Sequence, residues 1–221
     1  MEITSRENAT FKNLLKLTDK KGRRAAGLCI IEGEKIVRER GGQIFRRGID
    51  LSNALFNAVS SLENCDVLSV VAIPSPKETT FPYLVLDRIQ DAGNMGTLLR
   101  TAAAFGFATV FCIDCVDVWS QKVLRASSGV QFNLNIIECT LQDFTVPKAS
   151  VLLAADLNGS GIKKPNEKFG LVLGSEGQGI HPKIKSLCNQ TVTIPMKENC
   201  ESLNVAVAGG ILMYELRGGK Q

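Results

Sequence analysis

The sequence predicts an α/β protein with a largely parallel main sheet, preceded by a small α/β unit. From residue 83 onward, short aliphatic runs alternate with segments of helical periodicity, as expected for strands that helices cover on both faces. Residues 75–82 contain two prolines and several polar residues, which is typical of a linker. We therefore expect a small domain over residues 1–79 and a larger domain over residues 80–221, with enough apolar residues, 44% of the chain, to form a core.

The N-terminal unit is basic and mixes helices with strands. FKNLLKL places Phe11, Leu14 and Leu15 at helical spacing, LCIIEGEKIVRER predicts a strand, a Glu-Gly turn and a helix, and residues 67–74 predict another strand. The first 50 residues carry 12 Lys/Arg against 7 Asp/Glu, with KKGRR (residues 20–24) at the centre. Such a cluster favours either contact with phosphate or a solvated helix end, and the sequence leaves both open.

The larger domain begins with a strand and continues as a regular alternation. The predicted strands cover residues 83–87, 109–114, 132–137, 150–156 and 190–196, and a further strand within 169–177 runs into a glycine-rich loop. The predicted helices cover residues 94–107, 121–129, 141–144 and 181–188, followed by a long apolar helix near the C-terminus. Strands that are joined by helices in this way pair in parallel.

Three loops of this domain, DRIQDAGNMG, GSEGQG and PMKENCESLN, follow strands and concentrate its polar and glycine residues. Parallel sheets bind ligands at the carboxyl ends of their strands, so these loops define the predicted site. Gly174, Gly177 and Gly179 reverse the G-x-G-x-x-G spacing, and Glu176 would repel a pyrophosphate, which disfavours an NAD-dependent oxidoreductase. The sequence has no P-loop motif either. The glycine-rich loop therefore suits a cationic or neutral polar ligand.

Arg100 is the single charged residue of the predicted helix 94–107. A buried guanidinium is costly without a partner, so Arg100 either pairs with a carboxylate such as Glu176 or faces an anionic substrate. RNA phosphate is the natural candidate for that substrate, given the basic N-terminal unit. Asn94 stands at the predicted start of the helix, where an N-cap role is expected.

The C-terminal run from Val205 to Tyr214 contains no charged residue. A helix that is apolar all round is buried on every side, so we expect one face on the chain's own sheet and the other on a second copy of the chain. Gly209 and Gly210 each cost roughly 1 kcal/mol relative to Ala inside a helix, and the close approach of another helix would offset this. A helix internal to a monomer is the alternative.

At these three loops the sequence resembles the SpoU/TrmH group of the SPOUT superfamily, RNA ribose 2′-O-methyltransferases that use S-adenosylmethionine. LDRIQDAGNMGTLLRTAAAFGF, LVLGSEGQGI and IPMKENCESLNVAVAGGILMYEL are similar to the family's three ordered motifs, within about residues 83–217. The resemblance implies a deep trefoil knot near the C-terminus that forms the cofactor pocket. The N-terminal segment is similar to the small RNA substrate-binding domain of the family, shortened here after Arg40, and Ala92 stands where a proline is common.

The resemblance also implies roles for individual residues. The residues that it assigns to the S-adenosylmethionine pocket are Gly174, Ile194 and Leu203, with Leu153, Ala154 and Ala155 at the end of the preceding strand. The residues that it assigns to catalysis are Arg100, Asn94, Glu176, Ser202 and Asn204. Arg100 is either the proton acceptor for the 2′-hydroxyl or the cation that stabilises the forming alkoxide, and both roles stay open.

The sequence therefore predicts a cytoplasmic, homodimeric enzyme that methylates a ribose 2′-hydroxyl in rRNA or tRNA and dimerises through its C-terminal helix. A non-catalytic RNA-binding protein on the same scaffold is the alternative. Seven scattered cysteines indicate a reducing compartment, and the pair Cys112 and Cys115 lacks a second pair for zinc, so no metal is expected. No apolar run reaches the roughly 20 residues that span a bilayer, so no membrane partner is expected.

Overall fold

The computed structural model describes residues 2–159, 161–197 and 201–217. Contacts divide these residues into two compact units. The first contains the chain up to Ser75 together with Asp117–Gly129, and the second contains Pro76–Val116 and the described residues from Val130 onward. The sequence predicts one boundary, between residues 79 and 80. In the structure, the chain also returns to the first unit at Asp117–Gly129, and no sequence feature marks this segment as part of that unit.

The first unit is built on a three-stranded antiparallel sheet. Its elements are α1 (Ala9–Lys16), α2 (Lys20–Ala26), β1 (Leu28–Glu32), α3 (Glu34–Arg40), β2 (Gln43–Arg46), α4 (Asn53–Val59) and β3 (Val67–Ala72). The strand order is β1-β3-β2. A single apolar cluster holds Phe11 of α1 and Phe56 of α4 together with Ile30 and Leu68 of the sheet. Three elements of this unit were not predicted from the sequence, namely α2, β2 and α4, which are only four to seven residues long.

One residue of the basic cluster 20–24 belongs to the interior of this unit. Arg23 is 5% exposed. Its Nε donates to Asp117 Oδ2 at 2.9 Å, its Nη2 pairs with the same oxygen, and its Nη1 donates to the carbonyl oxygen of Leu17 at 2.7 Å. Contact with phosphate is therefore ruled out for Arg23, because its guanidinium is buried and its donors are already bonded within the unit.

The second unit contains a six-stranded sheet in which all neighbouring strands are parallel. Its elements are β4 (Tyr83–Asp87), α5 (Ala92–Ala104), β5 (Thr109–Ile113), a 3-10 helix (Val130–Asn133), β6 (Asn135–Cys139), β7 (Val151–Ala155), β8 (Phe169–Leu173), α7 (Pro182–Lys185), β9 (Gln190–Val192) and α8 (Val205–Leu216). The remaining helix, α6 (Gln121–Ala126), belongs to the first unit, where it packs on β1. The strand order is β6-β5-β4-β8-β7-β9. The predicted α/β fold with a mostly parallel sheet is confirmed.

Of the predicted elements that differ from the structure, two lie beside a proline. Residues 141–144 form a turn rather than a helix, because Pro147 follows within one helical turn and cannot extend a helix. The strand predicted over residues 190–196 ends at Val192, since Pro195 has no amide hydrogen to donate to a neighbouring strand. Both differences lie where a nearby proline limits an element that the apolar pattern alone would extend.

The helix α8 is buried on one face, where it packs against α5 and β8. A Cβ atom on Gly209 would lie 2.5 Å from Leu98 Cδ2, so a larger residue at this crossing would require the leucine side chain to shift. The opposite face leaves Val207, Ile211 and Tyr214 at 52%, 37% and 50% exposed. A helix internal to a single chain, the alternative that the sequence leaves open, is therefore wrong.

The strand order creates a crevice at the centre of the sheet. β4 and β8 are neighbours, with β5 and β6 on one side and β7 and β9 on the other. In open parallel sheets, ligands bind outside the carboxyl ends of the strands at such a change of direction. The loops that follow β4 and β8, which belong to two of the predicted motifs, start at this point.

Candidate active site

A cavity of about 330 Å³ lies at the carboxyl ends of β7, β8 and β9. Apolar residues form much of its wall, including Leu173, Val192 and Leu212, and two acidic residues, Asp156 and Glu176, also line it. The predicted residues that line it are Ala155, Gly174, Glu176, Ile194, Ser202 and Leu203. The structure thus brings residues from the second and third motifs, and from the strand before them, around one space.

Leu153 and Ala154 are the two predicted pocket residues that the structure does not bring to the cavity. Both are completely buried within β7. This strand pairs with β8 on one side and β9 on the other, so only its carboxyl end reaches the cavity. Of the three residues at the end of β7, only Ala155 lines the cavity, and the cofactor role that the resemblance implies for it stays a prediction.

Glycines allow the loop after β8 to fold back on itself. A Cβ atom on Gly174 would lie 2.2 Å from the carbonyl carbon of Gly179, and Gly179 itself has a φ of +64°. The amide of Gly179 donates to the carbonyl oxygen of Ser175 at 2.9 Å and closes the turn. As a result, Glu176 lies at the tip of a tight turn that faces the cavity.

A chain of hydrogen bonds joins the three predicted motifs. Asn94 Nδ2 donates to Glu176 Oε1, and Asn204 Nδ2 donates to Asn94 Oδ1 at 3.0 Å. Asn204 also caps α8, since its Oδ1 accepts the amides of Ala206 at 2.9 Å and Val207 at 3.3 Å. One carboxylate and two amide side chains are thereby held together beside the cavity.

Asn94 is not the N-cap of its helix, contrary to the expectation from the sequence. α5 begins at Ala92, and Asp91 is its cap, with its Oδ1 accepting the amide of Asn94 at 2.7 Å. The side chain of Asn94 is therefore available for its bonds to Glu176 and Asn204. The helix begins earlier than predicted because Asp91 is a good capping residue.

Arg100 lies on the same helix and is exposed to solvent. Among the described residues its guanidinium forms no ion pair and no hydrogen bond. The ion pair with a carboxylate such as Glu176, one of the two alternatives from the sequence, is not formed among the described residues, and Glu176 bonds to Asn94. Arg100 does not line the cavity either. Its environment leaves the second interpretation, a cation that is open to an anionic substrate.

One acidic residue of the cavity, Asp156, was not predicted from the sequence; it follows β7 directly. Lys185 Nζ donates to its Oδ2 at 2.6 Å and the amide of Asn158 donates to its Oδ1 at 3.1 Å. These bonds lower the pKa of Asp156, with Lys185 as the main cause, so the carboxylate is charged at neutral pH. Its position immediately after a parallel strand was the signal that could have revealed it.

The cysteines of the C-x-x-C segment are poorly suited to redox or metal chemistry. Burial raises the pKa of Cys115 to about 12, and Cys112 is buried. A thiol that stays protonated is a weak nucleophile and a weak ligand. Within the described ranges, no group of three or more His, Cys, Asp or Glu residues is arranged to hold a metal ion. No helix in those ranges is long and apolar enough to cross a membrane.

Residues 82–214 match the model of the SpoU rRNA Methylase family, which covers more than half of the chain. The chain belongs to this family. The resemblance of its three motifs to SpoU/TrmH proteins is therefore confirmed, and the cavity and the hydrogen-bonded chain lie within the matched residues.

Known relatives extend over the whole chain. A Bacillus subtilis protein named 23S rRNA (guanosine(2553)-2'-O)-methyltransferase RlmP is 31% identical, over 98% of this chain and 99% of its own length. An Acinetobacter baylyi protein named 23S rRNA (guanosine-2'-O-)-methyltransferase RlmB is 32% identical over 60% of this chain and 57% of its own. The solved structure of an AdoMet-bound rRNA methyltransferase from Sinorhizobium meliloti has a TM-score of 0.85 at 24% identity, covering 97% of this chain and 96% of that one, which shows the shared fold.

Proposed function

We propose that this protein is an S-adenosylmethionine-dependent methyltransferase that modifies a ribose 2′-hydroxyl in rRNA or tRNA. One observation carries the proposal: hydrogen bonds join Glu176, Asn94 and Asn204, one residue from each motif, at the edge of a single cavity. Membership of the family, and 31% identity to a protein named as a 23S rRNA 2′-O-methyltransferase, support it.

The cavity fits S-adenosylmethionine in size and in charge. Its volume of about 330 Å³ lies within the range of small-ligand sites. Leu173, Ile194 and Leu203 offer apolar walls for an adenine ring, while Asp156 and Glu176 place negative charge near a ligand that carries sulfonium and ammonium groups. When bound, this cofactor supplies a methyl group on a positively charged sulfur. Ile194 and Leu203 would hold it, together with the backbone at Gly174.

Arg100 is the residue that we assign to the reacting 2′-hydroxyl. An arginine side chain stays protonated in proteins, which favours stabilisation of the forming alkoxide over acceptance of its proton. Exposure on α5 leaves its guanidinium accessible to RNA phosphate as well. Asn94 and Glu176 would orient the ribose, and Ser202 lies at the edge of the same cavity.

We also propose a homodimer that forms through α8. Val207, Ile211 and Tyr214 lie four and three residues apart, so they form one apolar stripe on the exposed face of the helix. Phe105 of α5 packs edge-on against Tyr214 and extends this surface. A second copy of the same stripe is a self-complementary partner, as a two-fold interface requires.

A deep trefoil knot in the second unit is part of the proposal. β8 lies between β4 and β7, β9 lies beyond β7, and α8 then packs back on β8 and α5. A chain whose last segment returns across earlier loops in this order is compatible with a knot, one of the rare exceptions among protein folds. The family's third motif would then form both the cofactor pocket and the knot, although residues 198–200 of that motif lie outside the described residues.

The N-terminal domain, residues 1–79, is proposed to bind the RNA substrate. Its first 50 residues carry 12 Lys/Arg against 7 Asp/Glu, and exposed Lys21 and Arg46 remain after the burial of Arg23. Such charge provides the sequence-independent part of RNA affinity. We place the enzyme in the cytoplasm, as expected from the sequence, where rRNA and tRNA substrates occur.

The test is methyl transfer to RNA that lacks the modification. Purified protein is incubated with labelled S-adenosylmethionine and total RNA from cells without the gene, and the labelled nucleotide is mapped. We expect label on a ribose 2′-oxygen of rRNA or tRNA. Folded protein that binds RNA but labels none of it would instead support the non-catalytic alternative.

A further inference from the structure

Asp87 and Arg88, at the carboxyl end of β4, have no role in the site described above. Asp87 is completely buried, and a buried carboxylate is costly unless it is paired and hydrogen-bonded. Its Oδ1 accepts from Arg88 Nε at 2.9 Å and its Oδ2 accepts from Arg88 Nη2 at 3.1 Å. The same Oδ2 accepts the backbone amide of His181 at 2.6 Å. The charge is therefore held by an arginine and by the chain just beyond the glycine-rich loop.

The backbone of Arg88 makes this pairing between adjacent residues possible. Successive side chains of a strand point to opposite faces, which would separate Asp87 from Arg88. Arg88 instead has a φ of +57°, in the left-handed region that side chains other than glycine seldom adopt. Its amide is held by the carbonyl oxygen of Ile113 at 2.9 Å. The chain thus turns back at Arg88 and brings its guanidinium onto the carboxylate of Asp87.

The other donors of Arg88 reach the glycine-rich loop. Nη1 donates to Gln178 Oε1 at 2.6 Å and Nη2 donates to the carbonyl oxygen of Gly179 at 3.1 Å. With the bond from the His181 amide to Asp87, one ion pair thereby contacts three positions of the segment 174–181. This segment has three glycines, and its four residues at positions 176–179 are exposed, so bonds from outside the turn matter for its shape.

We infer that Asp87 and Arg88 form a positioning pair that holds the glycine-rich loop, and with it Glu176, in the shape that binds the cofactor. The inference rests on the proposed function, because it concerns the same cavity. Neither residue lines that cavity, so both act through the loop rather than on the ligand. The ion pair fixes the second half of the turn, while Asn94 holds the carboxylate of Glu176 at its tip.

The test compares Arg88→Ala with Arg88→Lys and with Lys168→Ala. Lysine keeps a positive charge for Asp87 but cannot make the forked contact that reaches Gln178 and Gly179. Lys168 is a matched control, a cation of the same unit at the other end of β8 that stacks on Phe81 at 5.0 Å. Hydrogen exchange of the Gly179 amide, which closes the turn, is measured in protein without cofactor, and S-adenosylmethionine affinity is measured by calorimetry.

We expect Arg88→Ala to speed exchange at Gly179 and to weaken S-adenosylmethionine binding by roughly 10-fold or more, as is typical when charge-assisted hydrogen bonds are lost. Arg88→Lys should fall between Arg88→Ala and the wild type, and Lys168→Ala should match the wild type. Should Arg88→Ala not fold, Gln178→Ala, which removes one exposed partner of Arg88, should speed exchange at Gly179 to a smaller extent.

Wild-type exchange at Gly179 in Arg88→Ala, or in Gln178→Ala if that variant replaces it, would overturn the inference. The exchange measurement needs no cofactor, so it separates the two claims. If the wild-type protein fails to bind S-adenosylmethionine, the proposed function is wrong, while faster exchange in Arg88→Ala would still establish that the pair holds the loop.

Discussion

Arg23 in the first unit and Arg100 in the second are the same side chain in opposite settings. Arg23 is 5% exposed and its donors bond to Asp117 and to a carbonyl oxygen. Arg100 is exposed, and among the described residues it has no ion-pair or hydrogen-bond partner. A buried guanidinium whose bonds are made within its own unit contributes to the fold, whereas an exposed one that is not bonded to the described residues remains available for a ligand. From the sequence alone, Arg23 belonged to a basic cluster that suited either phosphate or a solvated helix end, and Arg100 either paired with a carboxylate or faced an anionic substrate.

The structural half of this comparison is tested by Arg23→Ala. The substitution leaves the carboxylate of Asp117 nearly buried without its cation, so we expect the free energy of unfolding to fall by about 3–5 kcal/mol. Urea denaturation measures it. Lys21→Ala, an exposed lysine of the same helix, is the control and should change stability by less than about 0.5 kcal/mol. If the two variants lowered the free energy of unfolding equally, the buried ion pair of Arg23 would not contribute more to stability than an exposed lysine does.

The substitution Ile211→Lys tests whether the exposed apolar face of α8 is the surface through which the protein dimerises. A lysine in the centre of the exposed apolar stripe should weaken self-association by roughly 2 kcal/mol or more, since charge at the core of an interface is unfavourable. Analytical ultracentrifugation should show a dimer for the wild type and a shift to monomer for the variant. Asn13→Lys, on the exposed side of α1, adds the same charge and should stay dimeric. A wild-type monomer would rule out the proposed interface.

The two neighbouring glycines of α8 test how much the close contact between this helix and α5 contributes to stability. A methyl group at Gly209 would lie 2.5 Å from Leu98 Cδ2, so Gly209→Ala should destabilise the protein by about 1–3 kcal/mol. At Gly210 the nearest atom is Thr101 Cγ2 at 4.0 Å, so Gly210→Ala should be neutral or stabilising by up to about 1 kcal/mol. Thermal unfolding of the two variants measures both effects. Destabilisation of similar size in both variants would contradict the prediction.

A partly exposed ion pair should have the smallest effect. Lys185 and Asp156 are 47% and 21% exposed at their side chains, so Lys185→Ala should cost only about 0.2–1 kcal/mol. The pKa of Asp156 is lowered from 3.8 in the folded protein, so the pair stabilises above that pH and its contribution is lost as the pH falls below it. Unfolding curves of wild type and variant should therefore differ at pH 7 and converge in acid. A difference that persists at low pH would contradict this cause.

The parallel sheet was predictable because its signal is local. Most strands from Tyr83–Asp87 onward are short apolar runs, and the loops after β4 and β8 follow directly from their order along the chain. The lining residues Gly174, Ile194 and Leu203 were predictable from the resemblance of their motifs to a family rather than from any pattern of polarity.

The remaining features depend on contacts between distant parts of the chain. Arg23 pairs with Asp117 and Arg88 bonds to Gln178, and both pairs are about 90 residues apart. Asn94 and Asp91 are both good helix-capping residues, and only the structure shows that Asp91 has the role. Leu153 and Ala154 do not line the cavity, and a strand pattern does not reveal which of its residues reaches one.

Arg100→Ala tests the central claim most directly, in parallel measurements of S-adenosylmethionine binding and of RNA methylation. Since Arg100 is exposed and lies outside the cavity, we expect the variant to fold and to bind the cofactor like the wild type. Methylation at the mapped ribose should fall on the order of 100-fold or more, the usual effect of removing one group that stabilises a forming oxyanion. Wild-type methylation by Arg100→Ala would contradict the account, and loss of cofactor binding would place Arg100 in the pocket instead.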